Sequence, residues 1–325
     1  MAITLRKLSS VLTVPALALS ALVAFSPAAQ AATVNVDCNA GGNLAQAVLG
    51  AADGDTLQVS GTCDETVFVP RTSTNLTIDG GGTATIAGPD ASAPPTGPAS
   101  FTFFVEGTGL TLKGMTITGG AHAVHLSGPA SATILDNTIT DSAGAIHLDK
   151  DSTGQIGGNT IVNNLGYGIN IQENSYARIG FTAPTRGHLP NVIKDNQGPG
   201  IIVKQWSGAW ISGNEITDNA GHGVEVDRGS HAEIYDNDIS NNAGDGIRAA
   251  NGSGINFEPI NSEAPSQVKG NTTHTPNRDH GLVCSTGGYV AGERGSLNGK
   301  RGAELIDAGC VTDRKTGQPV FGLSS

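Results

Sequence analysis

Apolar and polar residues alternate in short runs along most of the chain. Ile169-Asn170-Ile171 and Val224-Glu225-Val226 are two of them. Each run reads as a strand with one buried face. Gly, Asn, Asp and Ser interrupt the runs every few residues and would break any helix. The pattern repeats. Asn137-Thr138-Ile139 returns as Asn159-Thr160-Ile161, Asn191-Val192-Ile193, Asn214-Glu215-Ile216 and Asn237-Asp238-Ile239, at steps of 22, 32, 23 and 23 residues. A second marker follows each: Gly144-Ala145-Ile146, Gly166-Tyr167-Gly168-Ile169, Gly198-Pro199-Gly200-Ile201, Gly221-His222-Gly223-Val224 and Gly244-Asp245-Gly246-Ile247. A fixed period of this length means one small unit stacked on itself.

Helical repeats are excluded by the breakers, and leucine-rich repeats by the absence of Leu-x-x-Leu-x-Leu. The remaining architecture is all-β: a single-stranded right-handed parallel β-helix, in which each turn gives one strand to each of about three sheets. Over roughly residues 34–312 the chain resembles the secreted right-handed β-helix repeat proteins of the pectin-lyase-like superfamily. The resemblance implies the fold. It does not imply one chemistry, because lyases, hydrolases, epimerases and non-catalytic proteins share it.

Three segments are expected. Residues 1–31 read as a secretory signal peptide. Arg6 and Lys7 are its basic start, Val11 to Phe25 its apolar stretch, and Ala29-Gln30-Ala31 its cleavage site. Residues 32–312 form the β-helix domain, and 313–325 a flexible C-terminal tail. Near the start, Asn43 can cap a short helix through Leu44, Val48 and Leu49. Such a helical cap would cover the open end of a solenoid. Compared with its neighbours, the turn from Arg178 to Ala209 carries about ten extra residues at Phe181 to Pro190. Insertions of this kind protrude as loops and often border a binding face.

Composition narrows the function. The formal charge is −11, and loss of Arg6 and Lys7 makes it −13. Phosphate binding needs a basic stripe, so nucleic acid is excluded as a partner. No stretch after the leader is apolar enough for a membrane span, and a monomer is expected. Cys38 and Cys63 are 25 residues apart, and Cys284 and Cys310 are 26 apart. In an exported protein the simplest reading is two local disulfides, one stapling each end. The cysteines lack zinc spacing, and Met115 is the sole Met after the leader. No metal site is therefore read, although loop Asp residues could bind calcium through oxygen.

Stacking converts sequence into a surface map. The residue between the glycine positions gives one column: His122, Gly144, Tyr167, Pro199, His222, Asp245. The outward residue of the next strand gives a second: His125, His147, Asn170, Ile202, Glu225, Arg248. Just beyond lie Asp149, Lys150, Gln172, Glu173, Lys204, Gln205, Trp206, Asp227 and Arg228. Five of the eight His fall in or beside these columns, His231 being placed at a nearby turn. Both Trp residues, Trp206 and Trp210, lie next to the insertion-bearing turn. A long polar groove with aromatic rings suits an extended sugar chain, because rings stack on sugar faces and fixed polar groups bond hydroxyls. The expected partner is an extracellular polysaccharide, met after export at the cell surface, in the periplasm or outside. The Asn column and the paired glycines read as structural.

Two chemistries fit the ionisable members. In β-elimination on a uronate, a base takes the proton beside the carboxylate, a cation steadies the charge that forms, and an acid meets the leaving oxygen. Lys204 or Arg248 could be the cation, and His222 or Tyr167 the base or acid. In hydrolysis two carboxylates would flank the bond, and Glu225, Asp227 and Asp245 are the candidates. His122, His147, Asn170, Trp206, Asp227, Arg228 and Asp245 are expected to contact substrate. Gly221-His222-Gly223 is similar to the Gly-His-Gly of polygalacturonases, but that family's Asn-Thr-Asp, paired Asp and Arg-Ile-Lys segments are missing. The Trp-x-Asp-His of pectate lyases is absent. Gly166-Tyr167-Gly168 resembles the opening of the alginate epimerase motif, without the Asp-Pro that follows there. A non-catalytic adhesion module or scaffold is the competing expectation.

Overall fold

The computed structural model describes residues 31–182, 187–257 and 271–312. The leader ahead of Ala31 and the tail at 313–325 lie outside the described residues. The chain winds as a right-handed parallel β-helix. The first sheet has ten strands, running from Val67–Val69 and Phe103–Val105 through His122–Leu126, Gly144–Leu148, Ile169–Ile171, Ile201–Val203, Val224–Val226 and Ile247–Ala249 to His280–Cys284 and Gly302–Ile306. The second sheet includes Ser131–Leu135, Thr153–Gly157, Tyr176–Ile179, Gly208–Ser212, His231–Tyr235, Gly254–Asn256 and Tyr289–Ala291. The third includes Thr138–Thr140, Thr160–Val162, Val192–Lys194, Glu215–Thr217, Asp238–Ser240 and Asn271–Thr272.

The inward positions carry β-branched residues in register. Ile134, Ile156, Ile179, Ile211 and Ile234 stack in the second sheet, and Ile139, Ile161, Ile193, Ile216 and Ile239 in the third. All ten are fully buried. Branched side chains pack well on a pleated surface. Each contributes roughly 1.5–3 kcal/mol by leaving water.

The corners are polar yet buried, and each carries a ladder. Between the second and third sheets, Asn137, Asn159, Asn191, Asn214, Asn237 and Asn271 stack. Each side-chain oxygen accepts the backbone N–H of the ladder residue one turn earlier, at 3.0–3.3 Å. A second ladder, Asn164, Asn196, Asn219, Asn242 and Asn277, does the same between the third and first sheets, again at 3.0–3.3 Å. Between the first and second sheets, Ser175, Ser207, Ser230 and Ser253 accept the backbone N–H groups of Ser152 to Ser230 at 3.1–3.2 Å. The chain reverses tightly just before each Asn. Asp136, Asn163, Asp195, Asp218, Asp236 and Asn241 there have φ of 53–58°, a left-handed conformation that Asn and Asp tolerate. The sequence pattern identified the first ladder as structural. It missed the other two.

The ends are closed as the sequence predicts. The helix Leu44–Gly50 is capped by Asn43, whose side chain accepts the Gln46 N–H at 2.7 Å. Glu65 adds its two oxygens to the N–H groups of Leu44 and Ala45, at 2.8 and 2.9 Å. Leu44 and Val48 are buried against the end strand Val67–Val69. Leu49, expected in that face, is 57% exposed instead, because the seven-residue helix turns it outward. Disulfides join Cys38 to Cys63 and Cys284 to Cys310. The insertion begins as a small hairpin, with Phe181–Thr182 antiparallel to Gly187–His188. It springs from the corner between the second and third sheets, and so does not border the first sheet, where the sequence columns lie.

The Asn214 side chain accepts from Asn191 twice and donates to Ile179, Ser212 and Asn237. Asn214→Ala therefore leaves several buried polar groups without partners and is expected to destabilise the protein by roughly 2–4 kcal/mol. Denaturant unfolding of the variant beside the wild type measures this. A loss under half a kcal/mol would show that the ladder is incidental.

Candidate functional site

The first sheet turns its outward residues into the columns expected from the repeat. His125, His147, Asn170, Ile202, Glu225 and Arg248 are neighbours in register, and Phe104 extends the row at one end. Adjacent members are separated by one strand spacing, about 4.8 Å. The row carries two clusters.

The first cluster is enclosed. His122 Nδ1 lies 3.2 Å from His125 Nδ1, and His125 Nε2 lies 3.1 Å from Asp149 Oδ2. The rings of His122 and His147 stack in parallel, 4.3 Å apart. His147 Nδ1 is 2.7 Å from the Tyr167 hydroxyl and 3.1 Å from Asn170 Nδ2. Phe101 stacks on His122 and meets His125 edge-on. His125, His147, Asp149 and Asn170 are all buried. Asp149 Oδ1 has no hydrogen-bond partner within the protein.

Burial sets the protonation here. It pushes His122 down to about 3, with the neighbouring His125 adding to the effect and Asp149 opposing it. It also pushes His147 well below the usual imidazole range. Burial opposes ionisation of Asp149, but hydrogen bonds from His125 and Ser127 outweigh it and hold the carboxyl low. Tyr167 is pushed up by burial, although its bond with Asn170 opposes this. One hydrogen assignment satisfies these contacts. His122 Nδ1–H donates to His125, His125 Nε2–H donates to Asp149, and the Tyr167 hydroxyl donates to His147. Tyr167 thus keeps its proton.

The second cluster is half-buried. His222 Nδ1 lies 3.3 Å from Asp245 Oδ2, and its Nε2 lies 3.3 Å from Arg248 Nη1. The Asp245 backbone N–H donates to Nδ1, at 2.9 Å. An imidazole cannot accept at both nitrogens and still carry its proton. With Nδ1 accepting from the Asp245 N–H, the ring proton sits on Nε2; moved to Nδ1, it would instead face the Asp245 carboxylate and leave Nε2 to accept from Arg248. His280 Nδ1 reaches the other Asp245 oxygen at 3.4 Å.

Of the residues chosen from sequence, the structure joins His122, His147, Tyr167 and Asn170 in one cluster and His222, Asp245 and Arg248 in the other. Glu225 stands beside Arg248 in the outward row. Lys204 is near enough to His147 for its charge to act there. Asp227 and Arg228 pair at 3.4 Å at a corner, and Asp227 also accepts from Asn251. They join neither cluster. His231 and Trp210 lie on the second sheet. His125 and Asp149 had positions in the columns but no assigned role. The His122-x-x-His125 and His147-Leu148-Asp149 pair, offset by one turn, was the available signal. His280 was missed because the longer turn before it hides the register.

Trp206 stands out. Its φ is 64° and it is 77% exposed. The equivalent corner residues one and two turns on are Gly229 and Gly252. Its ring lies against Gly229, where a Cβ would come within 2.9 Å of it. On the two preceding turns the same corner holds Asn174 and Asp151, also left-handed; a bulky aromatic residue where its counterparts are Gly, Asn and Asp points to function rather than packing.

The profile of the family described as "Periplasmic copper-binding protein (NosD)" matches residues 62–243 and 186–258. The chain belongs to the NosD family. Among curated proteins none matches. Several solved structures are similar in shape. A double mutant of the periplasmic alginate epimerase AlgG is 14% identical over 80% of this chain and 76% of its own, with a TM-score of 0.48. An alginate lyase from Paenibacillus sp. str. FPU-7 is 14% identical over 86% of this chain and 99% of its own, at 0.44. A pectin methylesterase from carrot is 11% identical over 87% and 89%, at 0.39. Family membership and two disulfides mark the chain as extracytoplasmic. No helix among the described residues is long and apolar enough to cross a membrane.

Two outcomes are expected. Trp206→Gly relieves the left-handed strain and should raise stability by about 1 kcal/mol, read as a higher melting temperature; an unchanged or lower one would contradict the strain. His122 and His147 have folded pKa values below their unfolded ones, so at these two groups the unfolded chain binds more protons under pH 6.5. In EDTA-treated protein, stability should fall as the pH drops from 7 toward 4, and His122→Phe should flatten that slope. Equal slopes in variant and wild type would refute the assignment.

Proposed function

We propose that the chain binds an extended extracellular polysaccharide along the outer row of the first sheet and removes a proton from a uronate unit there. The observation that carries this reading is the contact of Arg248 with His222 Nε2, on an imidazole backed by Asp245. An arriving carboxylate draws the Arg248 guanidinium to itself, a charge-assisted pairing stronger than its bond to a neutral ring. That frees the His222 lone pair to take the proton beside the carboxylate. The electron pair left behind forms the carbon–carbon double bond as the glycosidic oxygen departs. The proton held by His222 then passes to that oxygen. Asp245 steadies the imidazolium throughout.

Of the two roles expected for Tyr167, base or acid, the second is the one used here. Burial keeps its hydroxyl protonated, so it acts as a donor. Lys204 and Trp206 border the same row and suit a second carboxylate and a sugar face. Asp227 and Arg228 are occupied with each other at a corner, and hydrolysis by paired carboxylates is the weaker reading.

The test is incubation with uronate polymers, following the ultraviolet absorbance of unsaturated chain ends. New absorbance is expected, reduced by about 10²-fold or more in His222→Ala. Binding without absorbance would leave an adhesion module. Absence of both would reject the reading.

A second reading rests on a different observation. His125, His147 and Asp149 offer ligand atoms within 4.8 Å of one another. Burial favours the neutral form of His147, the form in which an imidazole ligates, and the buried Asp149 Oδ1 has no other partner. This nitrogen–oxygen set fits copper(II). All four cysteines are in disulfides and Met115 is buried in the core, so soft-donor capture of copper(I) is not supported. His125, His147 and Asp149 would hold the ion, with His122 stacked beside them, and the metal would supply a Lewis-acid or redox centre. Calorimetric titration with copper(II) should give one site, lost in His147→Ala. Equal binding by that variant would remove this reading.

A further inference from the structure

The second sheet carries a separate set of outward residues that the first-sheet reading does not use. Three of the chain's four Tyr and one of its two Trp lie on it: Tyr176, Tyr235, Tyr289 and Trp210. This clustering is notable in a chain with only 4% aromatic residues. Glycines make room for the rings. The Tyr176 ring lies over Gly208, where a Cβ would come within 3.0 Å of it. Tyr289 lies over Gly254, and its hydroxyl is 2.7 Å from His231 Nδ1. The Arg178 guanidinium sits 4.7 Å above the Trp210 ring. Glu233, one strand on from Trp210, is buried, and its Oε2 has no hydrogen-bond partner.

Beside these rings lies a cleft of about 260 Å³. It is lined by Ser131, Thr133, Thr153, Gln155, Tyr176 and Arg178, among others. The cleft is smaller than the roughly 300–1,000 Å³ of sites for drug-sized ligands and suits one or two sugar rings. Its side chains fit a sugar: a flat ring for a pyranose face, and several hydroxyls and an amide for ring hydroxyls. Its charge is more selective. The chain carries a net −11, yet the cleft lining holds one cation and no carboxylate. Arg178 already lies over Trp210 and bonds Tyr176, which hold its charge in place, and a ligand bearing an acid group would be drawn to it.

We propose that this cleft is a second glycan site, which takes a hexuronate unit with its ring against Tyr176 and its carboxylate on Arg178. It uses none of the first-sheet residues and does not depend on their role. A polymer held there would be anchored on one face of the solenoid while another segment lies along the first sheet.

Trp206→Phe leaves Trp210, whose ring lies under the Arg178 guanidinium, as the single indole, so its fluorescence follows events at Arg178. The probes are tetramers of galacturonate, glucuronate and mannuronate, each beside its carboxyl-reduced form. At least one uronate tetramer should give a saturable change in emission, with its reduced partner binding at least ten-fold more weakly. Arg178→Gln and Tyr176→Ala should each raise the Kd ten-fold or more with unchanged circular dichroism, while Arg248→Gln on the first sheet leaves it unaltered. No saturable change with any tetramer up to several millimolar would overturn the proposal. So would equal binding of acidic and reduced forms, or indifference to Arg178→Gln. Loss of the response in Arg248→Gln would instead assign the signal to the first-sheet site.

Discussion

Backbone hydrogen bonding at the corners is the constraint on which this solenoid depends. A parallel coil must turn three times per repeat, and each turn takes N–H and C=O groups out of strand pairing while leaving them buried. Unpaired, each would cost about 1–3 kcal/mol. Here three ladders meet that need. Two are asparagine and one is serine, and their side chains pass hydrogen bonds from each turn to the next. The left-handed Asp and Asn residues before the asparagines follow from the same tightness. The composition follows too. Corners fixed in this way leave the short strands free to fill the interior mainly with Ile, Val, Leu and Ala.

The ladders also fix register, and register creates the surface. Because every turn is locked one strand spacing from the next, outward residues fall into straight rows. A row is a rigid array of side chains at about 4.8 Å intervals, well matched to an extended polymer lying along the axis. Two faces of the coil use this differently. The first sheet gathers histidines, acids and cations; the second gathers tyrosines, one tryptophan and one arginine. The enclosed His125–His147–Asp149 group is the part of the first row least suited to a sugar, being buried and packed by Phe101 and Phe104. The half-buried His222–Asp245–Arg248 group is the part most open to one.

The repeat made the fold legible, because Asn137 to Asn237 and the glycine markers give the period directly and the period gives the columns. The first-sheet rows follow residue for residue. Contact partners did not follow as easily. The His122–His125 contact joins residues in the same strand, and the His125–Asp149 contact joins residues 24 apart, so neither is visible in a row taken singly. The second-sheet face went unread because its aromatic residues sit one per turn, with Gly208 and Gly254 between them. The need for those glycines appears only when the rings are placed over them. The insertion was seen, but which corner it leaves could not be read from its length.

The central claim is that the outer row of the first sheet binds a uronate polymer. A crystal structure of the protein soaked with a uronate hexamer tests it most directly. The account predicts sugar density running along the helix axis across Ile202, Glu225 and Arg248, with one carboxylate on the Arg248 guanidinium and His222 Nε2 freed from it. Density confined to other faces, or a first sheet left bare at saturating hexamer, would contradict it.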